Sequence, residues 1–326
     1  MNAVAAGRRR VAVGQVAGDR RQVWPWRRTA LAAVLLLAAA LPFVLPPYRL
    51  FQVTLVLVYA VALLGLDLVA GHGGQISLGH GAFFGVGAYT AAVLISRVGL
   101  PYPLTLPVAA LLAFGLGLAA ARPALRLRGL YLAMISFTVA VVVPPLLKRL
   151  SGLTGGAMGL PVPTPDDDQV LYFLVLAVTV AAFAGVRNLT RSRAGRALLA
   201  VKAHPAAAEV LGMRPATYQA HAFAWSAMYA GVAGALYTWT VGFVAPDSFG
   251  LALSITMLAG AVIGGLGSLA GPLIGAVVVL ALTSEVNPAA PGLVSGALLI
   301  VVICLAPTGL SGLLRRAAGS LLRRRS

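Results

Sequence analysis

The chain has 326 residues, 60% of them hydrophobic and only 10% charged, with mean hydropathy +0.91 and a formal net charge of +17. That composition excludes an ordinary soluble domain. Long apolar runs in place of short alternating segments exclude a β-barrel, leaving an all-α, polytopic helical membrane protein. The positive charge sits in connections and tails, so it reads as the positive-inside rule and not as a nucleic-acid surface.

Residues 1–28 carry Arg8-Arg9-Arg10, Arg20-Arg21 and Arg27-Arg28 with little hydrophobicity, the pattern of a disordered basic tail near anionic lipid. The apolar run that follows imitates a signal peptide, and Ala38-Ala39-Ala40 offers small residues for cleavage. Its length, and the charge pattern that its loss would break, favour an uncleaved first span. A span needs about 20 apolar residues. On that basis ten are predicted, over 29–45, 50–70, 80–96, 101–121, 129–147, 169–186, 217–241, 252–268, 270–286 and 290–306. With the N-terminus inside, 21 of the 25 basic residues fall on the inner side, and Asp166, Asp167, Asp168 and Asp247 fall outside. Both termini are therefore expected in the cytoplasm. The expected organisation is a tail at 1–28, a permease domain at 29–313 with a cytoplasmic loop at 187–216, and a basic tail at 314–326.

Two glycine-rich interruptions stand out, 71–87 and 260–275. The segment from Gly71 to Tyr89 alone holds seven glycines among polar side chains. Irregular backbone at membrane depth needs protein or a water-filled cavity around it, so such a break points to a transport path. The bland alternative is close helix packing. Small residues do recur at helical spacing in the rows Ser77, Gly81, Gly85; Gly260, Gly264, Ser268; Gly267, Gly271, Gly275; and Ser226, Ala230, Gly234. The pair of spans around 264–272 is also compatible with a re-entrant break. A half-helix N-terminus in such a path offers a landing for a carboxylate.

Two carboxylates, Asp67 and Glu285, fall within spans and are functional candidates because burying them is costly. They do not form a proton relay. His72, His80, His204 and His221 lack metal-ligand spacing, and the lone Cys304 sits in an apolar run as a small hydrophobe. No nucleotide-binding loop and no hydrolase signature occur, so catalytic and metal residues are expected to be none. In the loop after the sixth span, Pro205 is placed to open a short helix, and Gly212 with Pro215 to end it. This reads either as a headgroup-lying loop or as a docking helix for a cytoplasmic partner.

Four regions carry a family resemblance. They are Gly74-Gln75-Ile76-Ser77-Leu78-Gly79-His80-Gly81 through Tyr89; Leu125 through Ala133 with Leu153-Thr154-Gly155-Gly156 and Gly159-Leu160; Gly195-Arg196-Ala197 through Ala207-Ala208-Glu209 and Gly212 to Tyr237; and Val262 through Ser268 with Gly271-Pro272 and Gly275-Ala276. Ala306-Pro307-Thr308-Gly309 closes the match. In these residues the chain resembles a membrane subunit of branched-chain amino acid ABC importers, of the LivM/LivH type. The resemblance implies a permease moving a branched-chain or related amino acid across the bacterial cytoplasmic membrane, with no cofactor and no enzymatic activity of its own. It implies as partners a second, similar permease, two cytoplasmic ABC ATPases and an extracytoplasmic solute-binding protein. The coupling loop would comprise Arg196, Lys202, Ala207, Ala208, Glu209 and Gly212. The solute path would run by Gln75, Ser77, Gly79, His80, Tyr89 and Asp67. A permease for urea, short amides or simple sugars is the nearest alternative, and an ion-coupled secondary transporter is the alternative from another class.

Overall fold

The computed structural model describes residues 25–124 and 131–284, and these are overwhelmingly helical. Each predicted span up to residue 286 meets a helix. The predicted span 290–306, Glu285, Cys304 and both tails apart from residues 25–28 lie outside the described residues. The chain divides into two units. In the first, up to Val44, α1 (Pro25–Val44) leaves Val34, Leu36, Leu37 and Phe43 exposed.

The second unit starts with α2 (Pro47–Asp67), which Pro47 opens with its φ already fixed for a helix. It runs straight into a π-helical turn at Leu68–His72 and then loses helical form through Gly79. After that come α3 (His80–Val98), α4 (Tyr102–Ala124), α5 (Tyr131–Arg149) and the one-turn α6 (Ser151–Thr154). The next group is α7 (Asp168–Arg191), α8 (Arg193–Ala203), α9 (Pro205–Val210) and α10 (Pro215–Val241). Two 14-residue helices, α11 (Leu251–Gly264) and α12 (Gly271–Ser284), complete the described part. At about 1.5 Å per residue, α11 extends about 21 Å, less than a hydrocarbon core of about 30 Å.

Among the described residues four helical stretches are long and apolar enough to cross a membrane: Pro47–His72, His80–Val98, Tyr102–Arg122 and Asp168–Arg191. Ala133–Arg149 joined at an 82° bend to Ser151–Met158 makes a fifth if the bent pair counts as one span. α10 is absent from that set despite its 27 residues. It is the hub instead, packed against α2, α3 and α4. Lipid provides no hydrophobic force between helices, so this hub is held by close fit and hydrogen bonds. A Cβ on Gly87 would lie 2.0 Å from the Gly231 carbonyl oxygen, so α3 and α10 touch backbone to backbone. Trp239 is fully buried and donates from Nε1 to Thr105 Oγ1 at 3.2 Å, and Thr238 donates to the Ala88 carbonyl at 2.9 Å.

At the end of the bundle reached by the C-termini of α3 and α10, β1 (Leu160–Pro161) pairs antiparallel with β2 (Phe243–Val244), a small ladder that helical periodicity did not announce. Lys148 meets Asp247 there at 2.7 Å, an exposed pair that contributes little.

Candidate functional site

The break between α2 and α3 is built from local backbone rules. After the π turn, Gly73, Gly74 and Gln75 return their amides to the Leu68, Ala70 and Val69 carbonyls. Gly74 holds φ at +68°, a left-handed value that a side chain resists. Four other elements then grip the irregular stretch. Ser136 of α5 accepts from the Leu78 amide at 3.0 Å, and Ser254 of α11 accepts from the Gly81 amide at 2.9 Å. Lys202 of α8 donates to the Gly71 carbonyl. From the turn between α11 and α12, the Gly267 amide donates to Asp67 Oδ1. The two glycine-rich breaks, 200 residues apart in sequence, therefore touch.

Inside this grip lie the three side-chain polar atoms that, among the described residues, are buried without a partner: Gln75 Oε1, Ser77 Oγ and His80 Nδ1. Ser77 and His80 are each 1% exposed. The other ring nitrogen of His80 lies 3.5 Å from Ser226 Oγ of α10. Unpaired buried polar groups are costly, and these three fall close together between Gln75 and His80.

Five of the six predicted path residues, Gln75, Ser77, Gly79, His80 and Asp67, lie on or beside this stretch. Gly79 starts α3, and a Cβ there would come within 2.7 Å of the Ser136 carbonyl oxygen. Tyr89 is not brought to the break. It lies nine residues further along α3, its ring edge-on to Phe249 and its hydroxyl donating to the Val244 carbonyl at 3.3 Å. At the α3 N-terminus the Gly81 amide goes to Ser254, and the Ala82 and Phe83 amides return to the Gly79 carbonyl, so these donors are taken.

The row Ser226, Ala230, Gly234 lies wholly within α10, but the other three rows of small residues are shorter than their spacing implied. Ser77 precedes α3, and both Gly267 and Ser268 lie in the turn after α11. What remains packs tightly: Gly81 and Gly85 against Ser254 and Phe249, and Gly260 and Gly264 against Gly275 and Gly271. Ser136 and Ser254 escaped sequence reasoning. Their only signal was a hydroxyl in an apolar run, each with a threonine two residues on.

The loop forms as predicted around Pro205 and Gly212. Pro205 opens α9, and Gly212 ends it with φ +80°. The Met213 amide reaches Ala208 O and the Gly212 amide reaches Glu209 O, a Schellman closure. Ala208 is the buried member of α9. Ala207, Glu209, Val210 and Leu211 face outward, Val210 being 88% exposed. Arg196 is exposed on α8 and donates to the Arg191 carbonyl at 2.8 Å.

The family described as branched-chain amino acid transport system, permease component, matches residues 48–303, a span that contains every residue of this site. The chain belongs to this family. It is similar to the high-affinity branched-chain amino acid transport system permease protein LivM of Escherichia coli, 33% identical over 314 residues, covering 86% of this chain and 74% of that protein. The LivM of Salmonella typhimurium is 32% identical over the same shares, and the LivH permease of that organism is 27% identical, covering 80% of this chain and 93% of its own. No solved structure matches. As a member of this permease family the chain is a multi-pass transport component and not an enzyme. Ser254→Ala leaves the Gly81 amide unpaired beside a buried helix start, and should lower stability by about 1–3 kcal/mol. Thermal unfolding in detergent reads this, and an unchanged melting temperature contradicts the role given to Ser254.

Proposed function

We propose that this chain is the membrane subunit of an ATP-driven importer that moves a branched-chain or related amino acid across the bacterial cytoplasmic membrane. The observation that carries the reading is the irregular stretch at 73–79 with the helix start that follows it, where Gln75 Oε1, Ser77 Oγ and His80 Nδ1 are buried and unpartnered. A permeant solute with a polar head and an apolar side chain fits a place that is polar at these atoms and apolar around them. The named relatives are branched-chain amino acid permeases, which supports the solute class.

In this reading Gln75, Ser77, Gly79 and His80 line the path and Asp67 braces it. A second, homologous permease completes the path, and an extracytoplasmic binding protein delivers the solute. The charge distribution supports a cytoplasmic position for both termini and for the 187–216 loop. There α9 offers its outward face to one of two ABC ATPases, with Ala207, Glu209 and Gly212 at the contact, Ala208 seating the helix, and Arg196 and Lys202 on the adjoining α8. Closure of the ATPases then switches the permease pair between outward and inward states. The permease domain spans 29–313 between two basic tails.

Purification from the native membrane tests this. The chain should bring an ATPase and a second permease with it, and deletion of 203–212 should remove the ATPase and reduce uptake at least tenfold. Recovery of the chain alone, with uptake in liposomes that needs no ATP, would overturn the reading in favour of an ion-coupled carrier.

A further inference from the structure

The residues at the base of the break form one joint among elements far apart in sequence. Lys202 is the penultimate residue of α8, and its ammonium donates to the Gly71 carbonyl, 131 residues away. Its stem lies along Gly74, where a Cβ would come within 2.9 Å of Lys202 Cγ. Asp67, the last residue of α2, accepts the Gly267 amide on one oxygen, and its other oxygen lies 3.6 Å from His72 Nδ1. Space is tight: a Cβ on Gly71 would come within 2.5 Å of the Gly267 nitrogen. A carboxylate at a helix C-terminus is unfavourable by itself. Here the Gly267 amide donates to it and Lys202 binds the next turn of backbone, so each offsets that cost. Because α9 follows α8 after a single residue, His204, any displacement of the loop acts directly on Lys202.

We propose that Lys202 and Asp67 are positioning residues of a single joint that delivers movement of the α8–α9 loop to both glycine-rich breaks at once. Lys202 pulls on the Gly71 carbonyl, the first break follows, and Asp67 carries the displacement to the 265–270 turn through the Gly267 amide. The inference rests on the reading of α9 as the ATPase contact.

The test uses the whole transporter in liposomes, with its ATPase, partner permease and binding protein, and leucine as the probe. Lys202→Met keeps the stem against Gly74 and removes the donor. It should lower leucine uptake at least tenfold while ATP hydrolysis stays within about twofold, so the ATP consumed per leucine rises. Lys202→Arg, which restores a charged donor, should recover most of the uptake. Asp67→Asn keeps an oxygen for the Gly267 amide and should be milder than Asp67→Leu. Uptake and hydrolysis falling by the same factor in Lys202→Met, or neither changing, would overturn the joint.

Hydrogen exchange on the wild-type complex supplies a readout that needs no variant. Trapping with ATP and vanadate should change protection at 67–75 and 263–271 together. No change in either segment, or a change in one alone, overturns the proposal even where every variant fails to assemble. Failure of the underlying reading looks different: the wild-type chain then takes up leucine without an ATPase present, and the joint falls with it.

Discussion

Gly234→Val is expected to destabilise the bundle by on the order of 3 kcal/mol, the upper range for overpacking a close-fitted core. A Cβ at this position would lie 1.9 Å from the Phe84 carbonyl oxygen and 2.7 Å from the Ala88 amide nitrogen. Those are backbone atoms, so no side-chain rotation relieves the clash and α3 must part from α10. Separation also breaks the bond from Thr238 to the Ala88 carbonyl one turn away. In lipid nothing replaces the lost fit, because acyl chains are as apolar as the side chains they would touch. Gly115→Ala is the matched control. A Cβ on Gly115 would meet nothing within 4 Å, and alanine there should be neutral or gain up to about 1 kcal/mol from helix propensity. Size-exclusion of the detergent-solubilised protein after heating reads both, and equal melting of Gly234→Val and wild type would remove backbone contact as the basis of the hub.

Ser77→Ala is expected to separate function from folding. A structural serine loses a hydrogen bond on truncation and the protein weakens. Ser77 Oγ is buried with no partner, so its removal relieves a desolvation penalty and should raise stability by roughly 1 kcal/mol. If the hydroxyl serves the passing solute, leucine uptake by the assembled transporter should nevertheless fall about tenfold, the worth of about 1.4 kcal/mol in the transport step. A gain in melting temperature with uptake unchanged would take Ser77 off the path. A loss of both would mean that it holds the break together.

The sequence shows the break plainly because glycine and polar residues interrupt apolar runs at Gly71 and again at Gly264. It also shows the loop helix, since Pro205 and Gly212 act through their own backbone angles and need no distant neighbour. It does not show that the two breaks meet. The bond from Gly267 to Asp67 joins residues 200 apart, and neither spacing nor composition records such a contact. The rows that run out to Ser77 and Ser268 overran for a related reason: a count of three or four residues assumes an unbroken helix, and α3 begins only after Gly79 while α11 ends at Gly264. Tyr89 lay near the break in the written sequence, yet a helix carries residues nine apart about 13 Å away from one another. Nor does the sequence show that the Gly81 amide at the start of α3 is taken, because the serine that accepts from it, Ser254, arrives from another helix.

The burial of α10 has a consequence for biogenesis. Its Ser226, Thr238 and Thr240 are buried in a helix less apolar than the four that qualify as spans, and its Trp239 indole and Thr238 hydroxyl are satisfied by Thr105 and the Ala88 carbonyl of other helices. Alone in lipid such a helix is a poor insertion substrate. The three helices that chiefly receive it (α2, α3 and α4) precede it in the chain, so the ribosome delivers the receptacle before the occupant. The order of synthesis is thereby the order of assembly, and moving α10 ahead of its hosts by circular permutation would strand it at the membrane surface.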